Sequence, residues 1–175
     1  SLPFLKIKEV NEAKAINVAT ANALKEEFNE GYIGILYGGF IATKNGVKLI
    51  EYNARFGDPE AMNIFSLLDT DFLEICESLT EQKLDKVEIQ FKNKATVCKY
   101  AVPSGYPDKP VKNLPINLNK IENPDSLFYA SVDIKDNELV ESGSRTVASV
   151  GVADSIFSAE KIAENEMLKI EGPLF

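Results

Sequence analysis

Two β-rich runs separated by Asn45-Gly46 constrain the fold of this chain more than any other feature. The runs cover residues 33–43 and 47–56. Asn and Gly both tolerate the positive φ angles of a tight turn, so this pattern predicts a β-hairpin. Gly34, Gly38 and Gly39 interrupt the first run, where we expect a bulge or a close approach of another backbone.

Helical patterns lie on both sides of the predicted hairpin. Residues 10–28 place small and apolar side chains at helical spacing among Glu, Lys and Asn, which predicts an amphipathic helix. The positions expected to face inward are Ala13, Ile16, Ala19 or Thr20, Ala23 and Leu24. A second helix is predicted after Asp58, with Asp58 as its N-cap and Pro59 as its first residue. A third is predicted from about residue 69.

The second half of the chain has a different, β-rich pattern. Strands are predicted at residues 87–91, 95–102, 127–133 and 146–152, separated by Gly- and Pro-containing turns. A last helix is predicted at 158–170, with Ala159, Ile162, Ala163, Met167 and Ile170 facing inward. The sequence therefore predicts an α+β fold in two units, residues 1–85 and 86–175: an antiparallel sheet with helices, then a small β-rich domain with a terminal helix.

Charge and hydropathy exclude several functional classes. The formal net charge is −8 and no basic face is visible, so we expect no nucleic-acid partner. No apolar run approaches the ~18 residues of a membrane span, and no cationic-then-apolar leader opens the chain, so we expect a cytoplasmic protein without a membrane partner. The start at Ser1 and the apolar end at Phe175 suggest a fragment.

Histidine is absent, and the chain has two cysteines. The absence of histidine excludes Ser-His and Cys-His catalytic groups and histidine-ligated metals. Cys76 and Cys98 lie in apolar stretches without C-x-x-C spacing, which favours two reduced core thiols over a disulfide, a metal site or a nucleophile.

Glu51, Asn53 and Arg55 form the pattern that carries chemistry. The two-residue period of a strand places all three on one face, and leaves Ile50, Tyr52, Ala54 and Phe56 for a core. Carboxylate and amide oxygens suit a hard cation such as Mg²⁺, and a guanidinium grips phosphoryl oxygens in a fork. Spacing alone favours the simpler alternative, a solvated face on which Glu51 and Arg55 interact.

The surrounding sequence changes that balance. Residues 34–40 (G-I-L-Y-G-G-F), the Asn45-Gly46 turn and residues 50–60 (I-E-Y-N-A-R-F-G-D-P-E) resemble the glycinamide ribonucleotide synthetase family. E-x-N-x-R is shared across the ATP-grasp superfamily, whereas R-F-G-D-P-E is particular to this family. The resemblance continues at residues 104–107, 142–147 and 171–175, so it covers nearly the whole chain.

The resemblance implies an ATP-grasp carbon–nitrogen ligase of purine biosynthesis. Such enzymes join glycine and 5-phosphoribosylamine through glycyl phosphate, giving glycinamide ribonucleotide, ADP and phosphate. ATP is implied as co-substrate and Mg²⁺ or Mn²⁺ as cofactor. Glu51 and Asn53 match the metal-binding pair, and Arg55 matches a catalytic, phosphate-contacting group beside them. Asp58 and Glu60 lie in the family-specific block, where contact with the substrate amine and a role at the helix start are both open.

The same resemblance implies that residues 1–85 are the C-terminal part of an ATP-grasp domain and residues 86–175 the C-terminal domain. The remaining N-terminal domains of the same enzyme would then be partners, and this fragment is expected to be inactive alone. Two alternatives stay open: an ATP-grasp ligase with a different acid and amine, and a non-catalytic α+β binding module.

Overall fold

The computed structural model of the chain describes residues 5–175, which form two compact units. The first comprises the described residues through Asp58 together with Asp69–Gln90, and the second comprises Pro59–Leu68 and Phe91–Phe175. The sequence-based boundary between residues 85 and 86 stays a prediction. Each unit combines helices with antiparallel strands, which confirms the α+β class. None of the helices described is long and apolar enough to span a membrane.

Helix α1, Ile7–Phe28, opens the first unit and begins before the predicted residue 10. The Lys6 N–H donates to the Glu9 carboxylate over 2.7 Å, and Asn29 ends the helix in the left-handed region at φ 55°. The inward positions are half-buried, as predicted: Ala13, Ile16, Thr20 and Leu24. Ala19 and Ala23, two other candidates, are exposed instead.

The predicted hairpin is confirmed as strands β1, Tyr37–Thr43, and β2, Gly46–Asn53. The ladder begins at the pair Thr43 and Gly46, and Gly46 has the positive φ of 93° that the turn requires. A bulge interrupts it, because Phe40 pairs with Leu49 while Gly39 pairs with Glu51. Ile50 is therefore an extra residue on β2, which confirms the expected irregularity beside the glycines.

The rest of the first unit is helical and irregular. Helix α3 covers Phe72–Thr80, and the Asp71 carboxylate caps it by accepting the Leu73 N–H over 2.7 Å. A short 3₁₀ turn follows at Leu84–Lys86. The strand predicted at 87–91 is wrong: residues 87–90 form no strand, and Phe91 makes a single bridge with Leu68.

The second unit is built on a three-stranded antiparallel sheet. Strand β7, Val147–Ala153, lies between β3, Ala95–Ala101, and β4, Leu127–Tyr129. Helix α4, Ile156–Met167, packs on β7 and β3. Its approach is so close that a Cβ on Gly151 would lie 1.9 Å from the Ala159 carbonyl oxygen. Only a glycine fits there.

The inward face of α4 is partly as predicted. Ala159 and Ala163 are fully buried, but Ile162 is 41% exposed and the prediction for it is wrong. Glu166 is buried in addition, because Lys169 donates to its carboxylate over 2.7 Å and the Glu122 N–H donates over 3.3 Å. A carboxylate can be buried when it is paired and hydrogen-bonded in this way.

Two further elements complete the second unit. Helix α2, Glu60–Leu67, lies beside β3 and β7. The single strand predicted at 127–133 is two: β4 and then β5, Val132–Lys135, which pairs with an unpredicted strand β6, Glu138–Glu141. The core of this unit is centred on Ile116, Leu127 and Val147.

The two thiols form no disulfide within the described part of the chain. Cys76 and Cys98 are half-buried rather than fully buried in a core.

Candidate active site

Glu51 and Asn53 lie side by side at the end of β2. Glu51 is exposed, Asn53 is half-buried, and the Asn53 amide Nδ2 donates to Glu51 Oε1 over 3.3 Å. Their cross-strand partners are Gly39 and Tyr37. A Cβ at Gly39 would lie 3.6 Å from Glu51 Cγ, so the glycine leaves the space beside the carboxylate open. The structure therefore brings the two predicted oxygen ligands together.

The bulge decides which face carries these two side chains. Before it, Val47 and Leu49 share a face with their partners Ala42 and Phe40, and α1 packs there. A regular strand would place Glu51 and Asn53 on that same face. The extra residue Ile50 inverts the alternation, so both side chains point away from α1.

The same inversion explains the position of Tyr52. Its hydroxyl shares its one proton between Asn17 Oδ1, at 2.9 Å, and Thr20 Oγ1, at 3.1 Å, which ties β2 to α1. Its ring meets Phe40 edge-on at 6.5 Å. Tyr52 and Phe56 are half-buried as predicted for a core face, but Ile50 is 66% exposed because it occupies the bulge, and Ala54 is exposed beyond the strand.

Arg55 lies beyond the strand, contrary to the prediction of one regular face from 51 to 55. Strand β2 ends at Asn53, and Arg55 sits in an exposed bend where its Nη1 donates to the Phe56 carbonyl over 2.6 Å. The ring centroids of Phe56 and Phe72 lie 5.9 Å apart, and this contact packs the bend against α3. Among the described residues, no carboxylate pairs with Arg55, so the predicted alternative of a Glu51–Arg55 ion pair is absent there.

Asp58 and Glu60 follow in the chain, and one part of their prediction is wrong. Helix α2 begins at Glu60 with Pro59 at the N-cap position, one residue later than expected, so Asp58 is not the N-cap. The physical reason is that the Met62 N–H closes the first turn on the Pro59 carbonyl, over 3.0 Å. Asp58 is exposed in the first unit, and Glu60 is half-buried in the second.

The donor set at β2 fits one kind of cation. Across residues 5–175, no three acidic or cysteine side chains cluster as a complete metal site. One carboxylate and one amide oxygen are too few to hold a metal alone, but they suit Mg²⁺, which takes one or two protein ligands and fills its octahedron with phosphate oxygens and water. The pair therefore fits a metal that binds together with a nucleotide.

The residues that support this pair do not follow from the sequence pattern. Ile50 was expected in a core, and the bonds from Tyr52 to α1 were not predicted, because neither follows from a two-residue period. The glycine-interrupted first strand was the available signal for the bulge. Arg145, in the loop before β7, places its guanidinium 5.4 Å from the Tyr100 ring centre, a cation–π contact within the second unit.

Two family models match this chain. The model of the phosphoribosylglycinamide synthetase ATP-grasp (A) domain matches residues 1–61, and the model of the phosphoribosylglycinamide synthetase C domain matches residues 96–173. The chain is 52% identical over 177 residues to a phosphoribosylamine–glycine ligase of Methanocaldococcus jannaschii, covering 99% of this chain and 40% of that protein. It is 47% identical over 172 residues to the ligase of Methanocella arvoryzae, covering 98% and 39%.

A solved structure has the same fold. The crystal structure of phosphoribosylamine–glycine ligase from Thermotoga maritima superposes with a TM-score of 0.83 at 25% identity, covering 95% of this chain and 41% of that one. The chain thus spans about two fifths of the length of the relatives it matches.

Proposed function

Because this chain belongs to the phosphoribosylglycinamide synthetase family, we propose that it is part of an ATP-dependent ligase that joins glycine to 5-phosphoribosylamine. The observation that carries this proposal is the pairing of Glu51 with Asn53 on the face of the hairpin that α1 leaves open. The products are glycinamide ribonucleotide, ADP and phosphate, as in de novo purine biosynthesis.

The chemistry requires two anions, ATP and the glycine carboxylate, to come together while negative charge shifts during phosphoryl transfer. The terminal phosphoryl of ATP is transferred to the glycine carboxylate, which breaks the bond to ADP and forms glycyl phosphate. The amine of phosphoribosylamine then attacks the acyl carbon, and phosphate leaves with the C–O bond electrons. Positioning and electrostatic stabilisation dominate such transfers.

In this proposal, Glu51 and Asn53 would hold a divalent cation, Mg²⁺ or Mn²⁺, that binds together with ATP. The cation neutralises phosphate charge when it is bound. Their mutual hydrogen bond fixes both side chains in one orientation before a ligand arrives, which reduces the entropy lost on binding.

Arg55 is proposed to contact the transferring phosphoryl. Among residues 5–175, the Phe56 carbonyl is the one hydrogen-bond partner of its five N–H donors, so the remaining donors are available for phosphate oxygens. A planar guanidinium binds two such oxygens at once, which both stabilises charge and fixes direction.

Other parts of the assignment complete the proposal. Asp58 and Glu60 are proposed near the substrate amine. Residues 1–85 are proposed as the C-terminal part of the ATP-grasp domain and residues 86–175 as the C-terminal domain, with the other domains of the same ligase as partners. We place the reaction in the cytoplasm.

The test is ADP formation by the full-length ligase that contains this chain. We expect turnover to require glycine and phosphoribosylamine together, and to stop when either is omitted. Turnover with a different acid or amine at a comparable rate would contradict the assignment. The 175-residue chain assayed alone is expected to form no glycinamide ribonucleotide, and sustained turnover by it would refute its role as one part of the site.

A further inference from the structure

Helix α1 has a second face that its own unit does not cover. No residue of this 22-residue helix is buried, although one side packs on the hairpin. The opposite side carries a shallow, open patch formed by Asn11, Lys14, Ala15, Val18, Ala19 and Asn22. Ile7 lies on the same stripe, at helical spacing from Asn11, and is 79% exposed.

The chemistry of this outer face is unlike that of a solvated helix. All charged residues of α1 lie outside residues 15–24, although 26% of the whole chain is charged. Within that stretch both the inward and the outward positions are uncharged and mostly small. A helix that is apolar all round is usually buried, and within residues 15–24 only Asn17, Thr20 and Asn22 depart from an apolar composition.

We propose that the outer face of α1, defined by Ile7, Asn11, Ala15, Val18 and Asn22, docks against the part of the same ligase that lies outside this chain. The relatives are more than twice as long as this chain, so most of the enzyme is available as the occupant. The small side chains imply an apolar, closely packed surface on that occupant.

This proposal rests on the proposed function in one respect, because it takes the rest of the ligase as the protein that covers this face. The chain offers a matched pair of positions for testing it. Ala15 lies in the patch, and Ala23 lies on the same helix about 120° around the axis from the centre of the stripe that Ile7, Asn11, Ala15, Val18 and Asn22 form. Both are exposed in the structure of this chain.

The experiment is thiol labelling of A15C and A23C in the full-length ligase. A small maleimide is used, and labelled peptides are resolved by mass so that Cys76 and Cys98 do not interfere. We expect the A15C thiol to react at least about tenfold more slowly than the A23C thiol in the folded enzyme, and equally fast in urea. Equal rates in the folded enzyme would overturn the proposal.

A second measurement separates the possible occupants and does not depend on activity. A15E is expected to lower the unfolding midpoint of the full-length ligase, and A23E is expected to leave it unchanged. Protection of A15C that disappears on dilution would assign the face to a second copy of the enzyme and would also overturn the proposal. If A15C is protected as expected but the full-length enzyme acts on a different substrate, the docking surface stands and the proposed function is rejected.

Discussion

Inserting a single residue tests whether the bulge at Ile50 determines which face of the hairpin carries the candidate metal ligands Glu51 and Asn53. We consider insertion of one alanine between Gly39 and Phe40 in the full-length ligase. The insertion gives β1 a partner for Ile50, so the ladder becomes regular. Glu51 and Asn53 then turn towards α1.

The structural cost follows from the contacts of Tyr52, which turns away from α1 in the same change. Its hydroxyl proton, shared between acceptors at 2.9 and 3.1 Å, contributes about 0.5–1.5 kcal/mol. Its edge-on contact with Phe40 contributes about 0.5–1.5 kcal/mol. Together these predict a loss of about 1–3 kcal/mol in the free energy of unfolding, before any cost of turning a carboxylate towards the helix.

The assay combines urea unfolding with ATP-dependent turnover. We expect the insertion to destabilise the enzyme by that amount and to reduce turnover by at least about 10²-fold, because the ligands no longer reach the open face. Deletion of Ile50 is the matched control: it also removes the bulge, but it leaves Glu51 directly after Leu49 and therefore still on the open face. A folded insertion variant with near-normal turnover would refute this reasoning, as would a folded but inactive deletion variant.

Three further predictions concern packing, pH and the phosphate contact. Gly151→Ala should cost about 1–3 kcal/mol in thermal unfolding, since its Cβ would meet the backbone of α4, whereas Gly31→Ala, with nothing within 4 Å, should cost little. Burial alone would raise the pKa of Glu166, but the hydrogen bonds from Lys169 and from the backbone of Glu122 and Asn123, with the charge of Lys169, together outweigh burial, so the pKa lies below its ordinary 4.5. This stabilisation is present above pH 4.5 and lost as pH falls through the lower folded-state pKa, so Glu166→Gln should flatten acid unfolding curves. Arg55→Lys should reduce kcat by about 10²–10³-fold with unchanged melting, and a loss below about tenfold would remove Arg55 from the phosphoryl contact.

The sequence predicts the hairpin and its site because both depend on local chemistry. Asn45-Gly46 selects a tight turn whatever the rest of the chain does, and Glu51 and Asn53 follow two residues apart on the second strand. The face they occupy depends on a cross-strand register that α1 and Tyr52 help to set. A two-residue period alone places Arg55 with them, and it gives no sign that the strand ends at Asn53.

The second half was harder to predict because its strands depend on distant partners. Residues 87–91 alternate in polarity like a strand, yet residues 87–90 pair with no strand in the part of the chain described. Strand β6 ends in Glu141, whose side chain is fully buried. The sequence pattern instead predicts a turn at this residue. Its Oε1 accepts the Leu114 N–H over 3.0 Å, a contact between residues far apart in sequence.

The central claim is that Glu51 and Asn53 hold a divalent cation together with ATP. The most direct measurement is calorimetric titration of Mg²⁺ into the full-length ligase with a non-hydrolysable ATP analogue bound. Glu51→Gln removes one charge while keeping the shape of the side chain, and Glu26→Gln, at an exposed position of α1, is the matched control. We predict that Glu51→Gln weakens Mg²⁺ binding by about 10–100-fold at an unchanged melting temperature, while the control binds as the unaltered enzyme does. Equal Mg²⁺ affinity in all three proteins would contradict the claim.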